Sequence, residues 1–174
     1  VNNGGAIYLS GGTFNGNGGK IQNNESINGG ALYVSDGTVN ILASSIEKNK
    51  ATSGHGGAVY IGGGTYEMNG GNILNNNAVL NGGGVYQESG IYTMSAGNIN
   101  YNTATNGGGA YLNNAEFTLT GGSFSNNKAT QNGGGFYVGD NSTVSLSNGT
   151  VAYNQATNGA GFYQTQSNNL TTTT

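Results

Sequence analysis

Asn81-Gly82-Gly83-Gly84-Val85-Tyr86 is one copy of a phrase that the chain repeats along its whole length. It is preceded by Gly4-Gly5-Ala6-Ile7-Tyr8, Gly29-Gly30-Ala31-Leu32-Tyr33 and Gly56-Gly57-Ala58-Val59-Tyr60. It is followed by Gly107-Gly108-Gly109-Ala110-Tyr111 and Gly133-Gly134-Gly135-Phe136-Tyr137, and fades as Gly159-Ala160-Gly161-Phe162-Tyr163. The tyrosines Tyr8, Tyr33, Tyr60, Tyr86, Tyr111, Tyr137 and Tyr163 stand 25, 27, 26, 25, 26 and 26 residues apart. Self-similarity at a fixed period marks units that stack on one another. Six full copies and a partial seventh fill the 174 residues without a unique insert, so 1–174 reads as one domain.

Each full copy carries a second phrase, an apolar residue followed three positions later by asparagine. The asparagines are Asn24, Asn49, Asn76, Asn102, Asn127 and Asn154, after Ile21, Ile46, Ile73, Ile99, Phe124 and Val151. Two residues further on comes a small side chain: Ser26, Ala51, Ala78, Ala104, Ala129 or Ala156. Between the phrases lie apolar pairs two residues apart, Val39/Ile41, Tyr66/Met68, Tyr92/Met94, Phe117/Leu119 and Val144/Leu146, with Phe14 and Gly16 in the first copy. A period of two is strand periodicity, and no stretch carries the i, i+3, i+4, i+7 pattern of a helix. Each unit therefore reads as three short strands joined by Gly/Asn turns, which supply the positive φ that other residues resist.

A unit of about 26 residues has no room to bury its own apolar face, and stacking on its neighbours does bury it. The expected fold is all-β, a right-handed parallel β-helix (β-solenoid) of six to seven coils, its strands paired in parallel about 4.8 Å apart. The column Ile7, Leu32, Val59, Val85, Ala110, Phe136, Phe162 and the column Leu9, Val34, Ile61, Gln87, Leu112, Val138, Gln164 are mostly aliphatic and are assigned to the interior. That assignment sends the tyrosine column outward, beside a column of Ala and Gly. Gln87 and Gln164 sit poorly inside, and an inward tyrosine column would need buried partners for its hydroxyls. The Asn24–Asn154 column is expected to satisfy free backbone groups or to form an amide ladder along the axis.

Composition narrows function. There are 35 glycines and 30 asparagines, no Pro, Cys, Trp or Arg, and a net charge of −3. Without Cys there is neither a disulfide framework nor a thiolate metal site. Without a basic patch there is no footprint for nucleic acid. Apolar runs fall far short of the roughly 18 residues that span a membrane, so membrane insertion is not expected. Charged residues amount to 6%, which suits a stack of identical columns, because like charges one coil apart repel.

The pairing of Gly4-Gly5-Ala6-Ile7 with Phe124-Ser125-Asn126-Asn127 resembles the GGA[ILV] and FxxN repeat signature of chlamydial polymorphic outer-membrane proteins. Asn132-Gly133-Gly134-Gly135-Phe136-Tyr137-Val138 also resembles β-helix repeats in adhesin-like surface proteins of gut bacteria and archaea. The resemblance covers nearly the whole chain. It implies an extracellular or cell-surface location and a role as adhesin stalk or spacer. Residues 1–174 depart from that pattern in containing only the repeats, without the autotransporter barrel, anchor motif or binding domain that the resemblance leads one to expect.

Parallel β-helices also carry polysaccharide-active enzymes. The seven acids, Glu25, Asp36, Glu47, Glu67, Glu88, Glu116 and Asp140, are spread at about one per coil and form no evident calcium ring or catalytic pair. Glu67 and Glu88 lie in adjacent coils at different repeat positions. Gly54-His55-Gly56 resembles the Gly-His-Gly motif of polygalacturonases, but the companion Asp-containing and basic motifs are absent. His55 occupies the slot held elsewhere by Asn3, Asn28, Asn81, Asn106, Asn132 and Asn158, and reads as a turn residue. The slot Thr13, Thr38, Thr65, Thr143 is interrupted by Ile91 and Glu116, which argues against an ice-binding array. No catalytic, cofactor-binding or metal-binding residues are assigned.

The expectation is a non-enzymatic extracellular structural or adhesive solenoid, a stalk or a self-assembling fibre subunit. The tyrosine column is its candidate stacking or ligand ladder, with a glycan-binding module as the alternative. Its expected partners are copies of itself or flanking repeats, or a host or cell-surface glycan. The chain begins at Val1 without a leader pattern and shows no polar cap at either end, so it reads as a mature piece or an excised segment whose ends continue into further β-structure.

Overall fold

The computed structural model describes residues 1–165 and 169–172. Thr173 and Thr174, the end of the threonine tail, lie outside the described residues. The described chain is all-β, and every strand pairs in parallel with the equivalent strand one coil away. Leu32↔Val59, Tyr33↔Tyr60 and Val34↔Ile61 are opposed, then Val59↔Val85, Tyr60↔Tyr86 and Ile61↔Gln87, so the sequence columns are physical columns.

The first face comprises Val59–Ile61, Val85–Gln87, Ala110–Leu112, Phe136–Val138, Phe162–Gln164 and the starts of the longer strands Ile7–Gly16 and Leu32–Ile41. Those two long strands turn a corner into the second face, which Glu116–Leu119 and Thr143–Leu146 continue. Thr65–Leu74 and Ile91–Asn100 run from the second face into the third, which also holds Lys20–Gln22, Ser45–Glu47, Ser123–Ser125 and Thr150–Ala152. Beyond the three strands expected per coil there is a fourth, in a separate five-stranded sheet: Glu25–Ser26, Lys50–Ala51, Asn77–Ala78, Thr103–Asn106 and Lys128–Asn132.

Each coil fills the interior from three sides. Leu32, Val34, Val39, Ile41, Ile46, Val59, Ile61, Met68 and Ile73 are fully buried in one continuous core, against which the end-coil counterparts such as Ile7, Leu9, Val151 and Phe162 pack partly buried. Volume is exchanged between columns. Ala110 is the small member of its column, and there Phe124 packs on Phe136 with ring centroids 4.0 Å apart and Phe117 on Phe136 at 5.4 Å. Such complementarity keeps an interior at close-packed density.

The double glycine of the phrase has two separate causes, seen at Gly82 and Gly83. Gly82 has φ +68°, the left-handed region that a Cβ disfavours. Gly83 lies against the fourth face of the next coil, where a Cβ would overlap the Gly108 carbonyl oxygen and sit 2.6 Å from that of Thr103. One glycine makes the turn, and the other lets two backbone segments touch.

The Ala/Gly column does not sit outside beside the tyrosines. Ala31 and Ala58 are fully buried in the main core. A Cβ on Gly84 would reach Ile99 Cγ2 at 3.0 Å and Asn102 Nδ2 at 3.3 Å. The backbone explains the difference. The Ala58 carbonyl accepts from both Ala31 N and Leu32 N, each at 2.9 Å. Two successive donors on one acceptor form a bulge that resets the alternation, so both side chains point inward.

Gln87, the misfit of its column, is fully buried. Its Nε2 donates to the Gly90 carbonyl at 2.8 Å and the Glu116 carbonyl at 3.1 Å, while Oε1 has no partner. The corner between the first two faces brings these two carbonyls within reach of the amide, the Gly90 carbonyl accepting from Glu116 N at 3.4 Å as well.

Candidate functional site

The tyrosine column is the outward member of the first face, between inward Leu32 and Val34 and their equivalents. Its rings form one stack: Tyr8–Tyr33 centroids are 5.3 Å apart, Tyr33–Tyr60 4.6 Å, Tyr60–Tyr86 4.9 Å, Tyr86–Tyr111 5.3 Å, Tyr111–Tyr137 4.3 Å and Tyr137–Tyr163 5.1 Å. Planes differ by at most 32° along this column, so each inner ring has both faces against neighbouring rings. Tyr8 at one end is 54% exposed, whereas Tyr60 and Tyr86 retain only 7% and 8%. A sugar stacks on a ring face. Along this ladder the inner faces are occupied, and the stack presents ring edges and hydroxyls.

The middle of the ladder is a small polar cluster. Tyr60 donates its hydroxyl to Glu88 Oε2 at 2.6 Å. His55 lies over Tyr86, ring centroids 4.5 Å apart, and edge-on to Tyr60 at 6.5 Å. Burial raises the Tyr60 phenol above its ordinary range, and the bond to Glu88 adds to the shift. Burial also raises Tyr86, with the Glu88 charge second. Burial lowers the His55 imidazole, opposed by Glu88. His55 Nδ1 is buried without a partner. The cluster holds a histidine, a carboxylate and two phenols, all of them ladder neighbours.

The Asn24, Asn49, Asn76, Asn102, Asn127, Asn154 column is an amide ladder inside the wall, and it performs both expected tasks at once. Asn102 Oδ1 accepts from Asn76 N at 2.9 Å and Asn76 Nδ2 at 3.0 Å. Its Nδ2 donates to Asn127 Oδ1 at 3.1 Å and to the Ile73 carbonyl at 3.0 Å. The pattern repeats at Asn49, Asn76 and Asn127, all at most 1% exposed. Each of these four inner asparagines fills at least four hydrogen-bonding positions, which is why no other residue type serves.

A second amide row runs through the slot shared with His55. Asn28 Nδ2 donates to Asn3 Oδ1 at 3.3 Å, Asn106 to Asn81 at 3.0 Å, Asn132 to Asn106 at 3.0 Å and Asn158 to Asn132 at 2.9 Å. His55 interrupts this row, keeping only the backbone bond from its N to Asn28 Oδ1 at 3.0 Å. Sequence reasoning identified the slot but not the row.

The acids stay apart. Glu67 is opposed by Asn40 and Thr93, away from Glu88 on the first face. Lys20 and Glu47 form a 2.7 Å ion pair across one coil, and this bond holds the Glu47 carboxyl below its ordinary range. Among the described residues no three His, Cys, Asp or Glu side chains gather where a metal could be held.

The corner before each ladder asparagine was missed. Asn23, Lys48, Asn75, Tyr101, Asn126 and Tyr153 all adopt φ of 56° to 59° there. The sequence marks the position only as the variable third letter of the second phrase, filled by tyrosine in two copies, and that letter carries no sign of the corner's φ. Tyr101 is 55% and Tyr153 82% exposed, and neither stacks on another ring among the described residues. No family model, curated protein or solved structure matches this chain.

Proposed function

We propose that the chain is a non-enzymatic extracellular structural element, a stiff β-solenoid rod serving as an adhesin stalk or fibre subunit. One observation carries this reading: its repeated polar columns are engaged from coil to coil. The amide ladder, the second amide row and the tyrosine stack all bond along the axis, in the direction a stalk is loaded. Its acids are dispersed on the outside, which supports a role without acid–base chemistry. The glycan-binding alternative, placed on the tyrosine ladder, is weakened because the inner ring faces are already in contact with each other.

Pulling the segment along its axis between surface-tethered handles tests the rod. Stepwise release is expected, each step adding roughly 90 Å of contour for one coil of about 26 residues. Antibody labelling of intact source cells tests the location. Unfolding at negligible force, absence from the cell surface, or turnover of pectin or another polysaccharide by the purified chain would each overturn the corresponding part.

A further inference from the structure

We propose that Tyr101 and Tyr153 form a binding platform for an extended β-1,4-linked polysaccharide. The evidence begins with the backbone. Both residues stand at left-handed corners, φ 59° and 57°, where a bulky side chain is an outlier and asparagine is the economical choice. Asn23, Asn75 and Asn126 show that this corner is readily built with asparagine. A tyrosine held there against preference, more than half exposed and stacked on no other ring among the described residues, points to a role outside the fold.

Their placement suits a sugar chain. The Asn126 N–H bonds to the Ala152 carbonyl at 3.2 Å, and the Tyr101 N–H to that of Ser125 at 3.3 Å, so Tyr101, Asn126 and Tyr153 are consecutive members of one column. The two rings therefore stand two coils, about 10 Å, apart along the axis. In a flat β-1,4-linked chain successive sugars alternate in orientation, and every second sugar presents the same face at this spacing. Asn126 is exposed between the rings, with its amide available to the hydroxyls of the intervening sugar. Shallow grooves of about 420 and 350 Å³ open on the fourth face two residues beyond the corner, at Thr103 and at Gln155. Lys128, Thr130 and Thr157 line them with ammonium and hydroxyl groups. Aromatic faces separated by amides and hydroxyls match the alternation of apolar C–H faces and polar edges in a sugar chain. The corner column itself, Asn23, Lys48, Asn75, Tyr101, Asn126 and Tyr153, is polar apart from its two rings, whereas the core of a protein interface is apolar and depleted of charge.

The site is independent of the rod: a chain that binds no glycan is still a solenoid. The test is calorimetric titration of the whole chain with soluble hexasaccharides, β-1,4-linked glucose, β-1,4-linked N-acetylglucosamine and, as the helical control, α-1,4-linked glucose. Binding of at least one β-linked hexamer is expected, with the α-linked one excluded. Tyr101→Asn and Tyr153→Asn should each weaken it about tenfold. These variants place the resident corner residue, so their melting temperatures should equal or exceed that of the parent. Tyr101→Phe should retain binding. No β-linked hexamer bound, equal binding of the α-linked one, binding unchanged in the double Asn variant, or loss with Tyr86→Ala but not with the corner variants would each overturn the proposal.

Discussion

Asn102→Ala should be among the most damaging single truncations in this protein. The side chain is fully buried and makes four hydrogen bonds. Truncation strands the Asn76 backbone N–H and one amide hydrogen of Asn76 and removes a donor from the Ile73 carbonyl, while Asn127 Oδ1 still accepts from Asn102 N at 3.0 Å. A buried group left without its partner costs about 1–3 kcal/mol, so the two stranded donors amount to about 2–5 kcal/mol after partial relaxation. That is a large share of the roughly 5–15 kcal/mol available to a typical domain. Urea unfolding followed by circular dichroism gives the difference from the shift in midpoint. The internal control is Asn15→Ala, which removes only the exposed 2.8 Å bond from Asn40 Nδ2 and should cost less than about 0.5 kcal/mol. Asn102→Asp separates hydrogen bonding from shape. It keeps the acceptor towards Asn76 but turns a second oxygen towards the Ile73 carbonyl and Asn127 Oδ1, acceptor against acceptor. The buried carboxyl is then favoured in its protonated form, and its folded pKa lies above the unfolded value of about 3.9. Its stability is therefore greatest in acid and falls as pH rises above that value. An Asn102→Ala variant within about 1 kcal/mol of the parent, or an Asp variant whose deficit ignores pH, would refute the ladder's energetic role.

Gly83→Ala should prevent or badly distort folding, because its Cβ meets backbone oxygens of the next coil. Gly12→Ala, with open space around the Cβ but φ +76°, should cost only about 1–2 kcal/mol, readable as a modest drop in melting temperature. His55→Asn should stabilise the chain most in mild acid. Burial lowers the His55 pKa from about 6.5, so the parent loses stability as pH falls from 6.5 through the folded value, and Asn removes that slope while restoring the amide row. Incubation at alkaline pH should convert exposed Asn148-Gly149 to isoaspartate through attack of the Gly149 nitrogen on the side-chain amide. Asn106-Gly107 and Asn132-Gly133 should survive, because Gly107 N and Gly133 N donate at 2.9 and 3.0 Å to Asn132 and Asn158 carbonyls. Peptide mapping distinguishes the three sites' fates, and equal conversion at the amide-row and loop positions would contradict the locked geometry.

Much of the molecule was determined by the sequence alone. The 25- to 27-residue spacing of the tyrosines set the coil, and period-two apolar pairs such as Tyr66/Met68 set which side chains face in. That works because a parallel ladder places equivalent residues on one another, so each column is tested once per coil. Tertiary structure decided what happens where the alternation breaks. The bulge at Ala31-Leu32 buries two successive side chains, and no periodicity foretells it. Gln87 is tolerated because the corner offers it carbonyls. The tyrosine ladder looked like a binding surface while its rings were counted singly, and only their mutual stacking at 4.3–5.3 Å removes their faces from solvent. Tyr101 and Tyr153 were hidden for the opposite reason: a corner φ belongs to the backbone, and a variable letter before a ladder asparagine carries no sign of it.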